Sequence, residues 1–374
     1  MDPQNAAATV ATLERTRVVL IGLDGFPHRH VRPDLTPHLW RLGVQGGRAP
    51  DGGRSELPST TYPGFVTLMT GAGPEQHGVR TTFDRPGAVP GWAGERRTLL
   101  PTILDACAAA GIAGRAVMGD HLMYPVLGLP NGDRTWPEGG HVLPDVARDA
   151  HGYPVNEAVW PHQAAALSDA SLRFVFCHLN EVDTVGHDEG PDSEAALACC
   201  AETDTCVSKL LEALMPTWER TVVIVVSDHD QEVRAREEGL DPLSIPGLVD
   251  IASDWIGDGG CAWLRLRTGV SVELAAPVLA AAEPLLAWRI VGDRVLLLAG
   301  PGEVFHDGHV PLLGLHGGPG TVRTVALVGG GHPVVPALAR AMAVRPPRLR
   351  DWAPTIAGLL GVDMPDASGR DLLA

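Results

Sequence analysis

Two continuous apolar runs, residues 17–23 and 221–227, constrain the fold of this chain more than any other feature. Neither run alternates with polar residues, which predicts strands of a parallel sheet that is covered on both faces. A third run over residues 172–179 has the same character. We therefore predict an α/β fold, with a mostly parallel central sheet and helices on both of its faces. Because α/β sheets place their chemistry at the carboxyl ends of strands, the residues that follow these runs are the first candidates for a functional site.

The remaining segments predict how the chain is divided. Residues 1–15 are expected to be loose, and residues 16–231 and 311–374 to form the main domain. Residues 232–310 differ in character, because residues 261–267 alternate like a half-exposed strand, residues 270–287 look helical and residues 294–299 form a further strand. This range predicts a small α+β insertion. The stretch over residues 123–165 is rich in Pro and Gly, and we expect it to pack around the site.

Composition narrows the functional classes. At 374 residues and 45% hydrophobic content, the chain can bury a sizeable core, and no apolar run reaches the length of a membrane span. The first residues lack the basic start and apolar centre of a secretory signal, which predicts a cytoplasmic location. A net charge of -16 argues against binding a nucleic-acid duplex through a basic face. Six cysteines without a CxxC pair are expected to be buried thiols rather than ligands of a soft metal.

Acidic and histidine residues follow the predicted strands or lie in a glycine-flanked loop. They are Asp24, Asp183, His187, Asp228, His229 and His316. Asp183 and His187 are four residues apart, so one helical turn would place both on the same face. Each acid alone has a simpler interpretation, such as a turn residue at Asp24 or a helix cap at Asp183. Their joint occurrence at strand ends favours a metal site, and carboxylates with imidazoles suit catalytic zinc or manganese.

A cluster of hydroxyls offers a nucleophile. Ser59, Thr60 and Thr61 lie between Pro58 and Pro63, just before an apolar run that predicts a buried helix. A hydroxyl at the start of a helix meets the positive end of the helix dipole, although such clusters are more often ordinary N-caps. Of two metal ions about 4 Å apart, one would lower the pKa of the Thr61 hydroxyl by binding it as an alkoxide, and the other would hold a substrate oxygen. Without metal the hydroxyl is too weak a nucleophile.

These residues occur in motifs that resemble the alkaline phosphatase superfamily, most closely its nucleotide pyrophosphatase/phosphodiesterase (type I phosphodiesterase) branch. The matching motifs, in chain order, are Leu23-Asp24-Gly25, residues 57–63, Thr70-Gly71, residues 74–79, Glu181-Val182-Asp183, Gly186-His187, Gly190-Pro191, Ser227-Asp228-His229, His316-Gly317 and residues 351–355 through 369–372. The resemblance implies an alkaline phosphatase-like fold over nearly the whole chain. It also implies a two-zinc site with Thr61 as the nucleophile.

The resemblance also implies how the ligands are divided. Three ligands would hold one ion, and these are Asp183, His187 and His316. The other ion would be held by Asp24, Asp228, His229 and Thr61. Manganese is the alternative to zinc. The chain departs from the family pattern at Gly64, where an Asn commonly holds a phosphoryl oxygen, and at Asp230-Gln231, where Gly-Met is usual. We expect Gly64 and Tyr62 to contact the substrate, with Tyr62 either stacking on a leaving group or packing in the core.

Together these features predict a phosphoric ester hydrolase. The leading hypothesis is a metal-dependent enzyme that cleaves a phosphodiester or pyrophosphate bond of a small nucleotide-like substrate through a phospho-threonine intermediate. The same site could instead serve a phosphomonoesterase or a phosphonoacetate hydrolase-like enzyme. The third hypothesis is a non-catalytic metal-binding protein. We expect a small phosphorylated substrate as the partner, and neither a nucleic-acid duplex nor a membrane.

Overall fold

The structure is a computed structural model that describes residues 16–82, 97–129, 135–283, 285–305 and 312–374. The predicted loose N-terminus, residues 1–15, lies outside the described residues. The strands are β1 (Arg17–Leu23), β2 (Gly47–Arg48), β3 (Gly53–Arg54), β4 (Gly114–Met118), β5 (Thr135–Trp136), β6 (Phe174–Leu179), β7 (Thr221–Ser227), β8 (Glu232–Val233), β9 (Ala252–Asp258), β10 (Cys261–Leu266), β11 (Ala287–Val291), β12 (Arg294–Leu298), β13 (Gly314–Leu315), β14 (Arg323–Thr324) and β15 (Ala326–Gly329).

The helices connect these strands. They are α1 (Pro37–Gln45), α2 (Thr61–Thr70), α3 (Pro74–His77), α4 (Ile103–Ala109), α5 (Met123–Val126), α6 (Asn156–Ser168), α7 (Glu181–Glu189), α8 (Glu194–Ala213), α9 (Leu248–Ile251), α10 (Val272–Ala280), α11 (Val335–Val344) and α12 (Leu349–Leu360). In the described part of the chain, no helix is long and apolar enough to cross a bilayer.

Seven strands form the central sheet, in the order β2-β15-β7-β1-β6-β4-β5. Strand β1 pairs in parallel with both β7 and β6, whereas β15 runs antiparallel to its neighbours β7 and β2. The registers align Leu23 with Ser227 on one side and with Leu179 on the other. The three strands therefore end at one level, and the residues that follow them leave the sheet side by side.

Helices cover both faces of this sheet. Along β1, Val18 and Leu20 pack into a core shared with α2, α4, α11 and α12. The alternate residues Val19, Ile21 and Leu23 pack into a second core shared with α1, α6 and α8. Because successive side chains of a strand point to opposite faces, a strand buried on both sides needs apolar residues at every position. The prediction of a mostly parallel sheet with helices on both faces is confirmed.

A second, antiparallel sheet has the order β11-β12-β10-β9 and lies within the range predicted as an insertion. Its helix α10 is shorter than predicted, and β11 begins at Ala287, inside the range expected to be helical. The prediction of a half-exposed strand at residues 261–267 is wrong, because β10 is buried on both faces. One face packs on α10, while Cys261 and Trp263 on the other belong to a cluster against which Leu57 packs. The predicted domain boundaries stay a prediction.

The stretch over residues 123–165 contains more regular structure than its Pro and Gly content suggests. The helix α6 begins at Asn156, and 13 residues are helical despite Pro161. Its apolar residues do not form one stripe, so the periodicity that normally reveals a helix is absent. The six cysteines are all buried and free, as expected.

Candidate active site

Thr61, the candidate nucleophile, lies at the start of a buried helix. Helix α2 begins at Thr61, and all ten of its residues are buried. Thr60 is the N-cap residue, yet its side chain makes no capping hydrogen bond. The Ser59 hydroxyl lies 2.8 Å from the main-chain oxygen of Gly318 and 2.9 Å from Oγ1 of Thr321, which fixes the approach to the helix. The Thr61 hydroxyl therefore lies where a helix dipole favours negative charge.

Thr61 contacts a first group of candidate ligands. Its hydroxyl donates a hydrogen bond to Oδ1 of Asp24 at 3.3 Å and lies 3.2 Å from Nε2 of His229. Oδ2 of Asp228 also lies 3.2 Å from that nitrogen. Nδ1 of His229 is 3.1 Å from the main-chain oxygen of Asp230, which can only accept, so Nδ1 carries the proton. Nε2 of His229 consequently presents its lone pair to the surrounding oxygens.

Helix α7 carries a second group. Asp183 and His187 lie one turn apart on this helix, with Oδ2 of the acid 3.3 Å from Nε2 of the histidine. Nδ1 of His187 lies 2.8 Å from the main-chain oxygen of Gly314, so Nδ1 donates a proton to it. Nε2 of His187 is then 3.1 Å from Nε2 of His316. Two imidazole nitrogens this close need a proton or a cation between them.

The two groups adjoin and form one site. The rings of His229 and His316 stack with their centroids 4.0 Å apart. Oδ1 of Asp183 lies 3.9 Å from Nε2 of each of these histidines. Two sets of candidate ligand atoms fall within 4.8 Å of one another, namely Asp183 with His229 and His316, and Asp24 with Asp228 and His229.

Burial and neighbouring charges change the pKa values of these groups in opposite directions. Burial raises the pKa of Asp24 well above its usual value, and the nearby carboxylates of Asp228 and Asp183 raise it further. Burial and the Asp183 charge raise the pKa of Asp228 in the same way. Burial opposes ionisation of Asp183, but His187, His316 and other imidazoles outweigh it and hold its pKa below the usual range. The chain thus concentrates acids that repel one another.

These donors fit divalent cations. Oδ2 of Asp228 is buried and accepts no hydrogen bond from any described residue. Nε2 of His229 carries no proton and faces the Thr61 hydroxyl and a carboxylate oxygen of Asp228. A cation between such groups would balance the carboxylates and use the imidazole lone pairs, and a set of oxygens and imidazoles without thiolate suits zinc or manganese. All six predicted ligands and Thr61 are brought together, and their roles stay a proposal.

A histidine that the sequence analysis missed supports Asp24. Nδ1 of His178 accepts a hydrogen bond from the main-chain N–H of Asp120 at 3.2 Å, so Nε2 carries the proton. That nitrogen lies 3.2 Å from Oδ2 of Asp24 and donates to it. The imidazole therefore leaves Oδ1 of Asp24 to face Thr61. A histidine inside the apolar run of β6 was the available signal, because such a position is normally apolar.

Asp120 is a second residue that the sequence analysis missed. It follows β4 and the adjoining glycine, and it is almost completely buried. Burial raises its pKa to about 7, although hydrogen bonds from the Leu122 main chain and from Tyr62 lower it. The sequence signal for Asp120 was its position just after the predicted short strand β4. Because β4 is parallel to β6, Asp120 lies at the same edge of the sheet as the acids of the site.

A cleft of about 470 Å³ opens onto both groups. Its walls include Thr61, Tyr62, Asp120, Tyr153 and Leu315. The cleft thus combines reactive polar groups at its base with aromatic and apolar side chains, the combination typical of small-molecule sites.

A family model of type I phosphodiesterase/nucleotide pyrophosphatase matches residues 18–243, more than half of the chain. The chain belongs to this family. The resemblance to the alkaline phosphatase superfamily is thereby confirmed, and so is the prediction of a phosphoric ester hydrolase of the phosphodiesterase/nucleotide pyrophosphatase type.

Solved structures agree with the fold of this phosphodiesterase. Murine ectonucleotide pyrophosphatase/phosphodiesterase 5 is similar with a TM-score of 0.65 and 18% identity, over 93% of this chain and 96% of that chain. An inactive threonine-to-alanine variant of the same murine protein, in complex with AMP, has a TM-score of 0.64, 18% identity and the same coverage. The alkaline phosphatase-like fold predicted from the sequence is confirmed.

The two predicted substrate contacts of this phosphodiesterase have different environments. Tyr62 lines the cleft and is also almost fully buried in the core, so the two interpretations of this residue are compatible. Gly64 packs against a ligand candidate, because a Cβ there would lie 3.0 Å from Cβ of Asp228. A side chain at position 64 would therefore press on Asp228 unless the backbone moved. The contact of either residue with a substrate stays a prediction.

Proposed function

We propose that this protein cleaves a phosphodiester or pyrophosphate bond of a small nucleotide-like substrate, with Thr61 as the nucleophile on a two-zinc site. One observation carries the proposal. The Thr61 hydroxyl lies at the start of a buried helix and within 3.3 Å of both a carboxylate oxygen of Asp24 and a lone-pair nitrogen of His229. A hydroxyl in this position faces two groups that can hold a cation, and its own helix favours the negative charge that it must develop.

The proposed ligands divide between the two groups. Asp24, Asp228, His229 and Thr61 would hold one ion, while Asp183, His187 and His316 would hold the other. When bound, two divalent ions would supply Lewis acidity that activates the Thr61 hydroxyl and neutralises charge on the phosphoryl oxygens. Zinc is our first choice because imidazole makes up half of the six side-chain ligands other than Thr61, and manganese is the alternative.

The residues of the chain organise the reaction in two steps. Oγ1 of Thr61 attacks phosphorus, the bond from phosphorus to the leaving-group oxygen breaks, and phospho-Thr61 forms. The hydrogen bond from the hydroxyl to Oδ1 of Asp24, 3.3 Å away, orients its proton, and that proton leaves with the leaving-group oxygen. In the second step a water molecule attacks phosphorus, the bond to Oγ1 breaks, and one proton of that water passes to Oγ1 and restores the Thr61 hydroxyl. His178 keeps Asp24 in place through both steps, since it donates to the other carboxylate oxygen.

The nature of the substrate is supported by the cleft and by the murine neighbour. The neighbour has been solved in complex with AMP as an inactive threonine-to-alanine variant. Tyr62 and Tyr153 line the same cleft as Thr61, so a flat leaving group or nucleoside bound there can pack against an aromatic ring. We therefore propose a nucleotide-like compound as the substrate. The cytoplasmic location stays a prediction, which fractionation of the producing cells tests.

The experiment that tests the proposal is the isolation of the intermediate. Protein mixed with a ³²P-labelled diester and quenched in acid within milliseconds should carry label on Thr61, identified by mass spectrometry of the peptide. Thr61→Ala protein with the same metal content is the control and should carry none. Label on another residue, or rapid turnover without any labelled protein in repeated quenches, contradicts the proposal.

A further inference from the structure

Gln231 makes contacts that the reaction described above does not use. Its side-chain Nε2 lies 2.6 Å from Oδ1 of Asp183 and 3.0 Å from the main-chain oxygen of Asp183. Gln231 is 3% exposed, so these hydrogen bonds are sheltered from water. A short hydrogen bond to a carboxylate is stronger than one between neutral groups.

The orientation of this amide is determined by its partners. Both groups on Asp183 accept hydrogen bonds, so the nitrogen of the amide must face them and Oε1 must face the other way. Oε1 then lies against Gly186, where a Cβ would be only 1.7 Å away. Gly314 closes the same space, since a Cβ there would lie 3.3 Å from Oε1. The chain thus has glycine at both positions that border the amide oxygen.

Asp183 is restrained from its opposite side as well. Gly25 has φ of +57°, a conformation that favours glycine, and a Cβ there would lie 2.6 Å from Oδ1 of Asp183. Oδ1 is therefore confined between Gly25 and Gln231. The second oxygen, Oδ2, faces Nε2 of His187 at 3.3 Å. Gln231 thus fixes the direction of Oδ1, which also lies 3.9 Å from Nε2 of His316, so both carboxylate oxygens of Asp183 are oriented toward the candidate metal ligands.

The backbone of Gln231 is fixed in turn. Its main-chain N–H donates to Oδ1 of Asp230 at 2.7 Å, and the guanidinium of Arg29 pairs with the same carboxylate. Arg29 also reaches the main-chain oxygen of Gln231 at 3.4 Å. The sequence differs from the family pattern at this point, where Asp230-Gln231 replaces Gly-Met. The side chain of methionine has no N–H, so it would donate no hydrogen bond to Asp183.

We infer that Gln231 is a positioning residue that holds the Asp183 carboxylate ready for one of the two metal ions and so tightens the binding of that ion. The inference rests on the proposed function, because Asp183 must be a ligand. Partners of metal ligands typically change metal affinity by about 10–100-fold. Gln231 does not itself line the described cleft, so its effect should act on the metal rather than on the substrate.

The test is a zinc titration of the metal-free protein against a chelating dye, which reports the two dissociation constants. Gln231→Met, which keeps the approximate volume and removes the N–H, should raise one dissociation constant about 10–100-fold and leave the other unchanged. Turnover of the variant should recover at saturating Zn²⁺. If circular dichroism shows that Gln231→Met does not fold, Gln231→Leu is titrated in its place.

A buried glutamine elsewhere provides a matched control. Gln163 is fully buried, and its amide donates to the main-chain oxygen of His178 at 2.9 Å. Gln163→Met should lower the Tm of the metal-free protein without changing either zinc dissociation constant. If Gln231 has only a structural role, Gln231→Met will give this same pattern, with both zinc affinities within about twofold of the wild type. That result would overturn the inference. Two zinc ions bound to the wild-type protein would still support the proposed metal site. A wild-type protein that binds no zinc would overturn both the inference about Gln231 and the proposed metal site.

Discussion

The hydroxyl of Thr61 lies 3.3 Å from Oδ1 of Asp24. The two residues are 37 positions apart in the chain, and they meet because α2 begins directly beside the carboxyl end of β1. Asp24 is held from behind by His178, so the oxygen that faces Thr61 has a fixed direction. The contact connects the candidate nucleophile to the candidate metal ligands without any intervening side chain.

Replacing Thr61 tests the nucleophile. Thr61→Ala should lower kcat by roughly 10⁴-fold or more, because loss of a nucleophile removes the covalent route. Thr61→Ser retains a hydroxyl and should keep measurable turnover. Steady-state kinetics on a chromogenic diester, with zinc content measured for each protein, provides the comparison. An alanine variant as active as the serine variant would show that another group attacks phosphorus.

Replacing His178 tests the support of Asp24. His178→Phe has a similar volume without the N–H donor, and kcat/KM should fall about 10–100-fold, as expected for partners of metal ligands. His178→Gln places an amide nitrogen near the position of Nε2 and should retain more activity than the phenylalanine variant. Equal kcat/KM values for both variants and the wild type, at equal Tm, would show that the reaction does not depend on the hydrogen bond from His178 to Asp24.

His77 makes the metal-free protein sensitive to acid. Its Nδ1 accepts a hydrogen bond from the Val79 main chain at 3.2 Å, and its Nε2 lies 3.0 Å from Oγ1 of Thr67, so only the neutral ring satisfies both contacts. Burial, and then the charge of Arg80, lower the pKa of His77 to about 3. The unfolded chain binds this proton near pH 6.5, so stability is complete above that pH and falls as the pH decreases toward 3.

The expected contribution of His77 is a loss of about 1.4 kcal/mol per pH unit below pH 6.5. His77→Asn cannot bind the proton, and its free energy of unfolding should decrease less steeply by that amount between pH 6.5 and pH 5. Urea denaturation of both proteins in the presence of a chelator separates this effect from loss of metal. Parallel pH dependences for the two proteins would assign the acid sensitivity to other groups.

A substrate panel tests the preference for diesters. Tyr62 and Tyr153 line the same cleft as Thr61 and offer contacts for a second substituent on phosphorus. Bis(p-nitrophenyl) phosphate should therefore have a higher kcat/KM than p-nitrophenyl phosphate, and phosphonoacetate should not be cleaved. The opposite order for the two esters, or release of phosphate from phosphonoacetate, would favour the alternative hydrolase hypotheses.

Much of the fold could be predicted from continuous apolar runs. Strand β7 begins at Thr221 and ends at Ser227, as the run predicts, because a strand covered on both faces needs apolar residues throughout. The acids that follow such strands then had to share one edge of the sheet. The spacing of Asp183 and His187 likewise predicted their contact, since residues four apart in a helix are neighbours.

The remaining parts depend on contacts between distant segments. Gln231 and His178 contribute through hydrogen bonds to acids 48 and 154 residues away, and no local pattern encodes such partners. The burial of β10 was missed because Trp263 lies in a cluster against which Leu57, from a distant part of the chain, packs. Helix α6 was missed because Pro161 and scattered apolar residues hide its periodicity.

The most direct test of the two-metal account is the metal content of the purified protein, measured by mass spectrometry together with turnover of bis(p-nitrophenyl) phosphate before and after chelation. We expect close to two zinc ions per chain, loss of turnover on chelation, and recovery of turnover when Zn²⁺ is restored. Turnover that survives complete removal of metal, or a protein that binds no divalent ion after reconstitution, would contradict it.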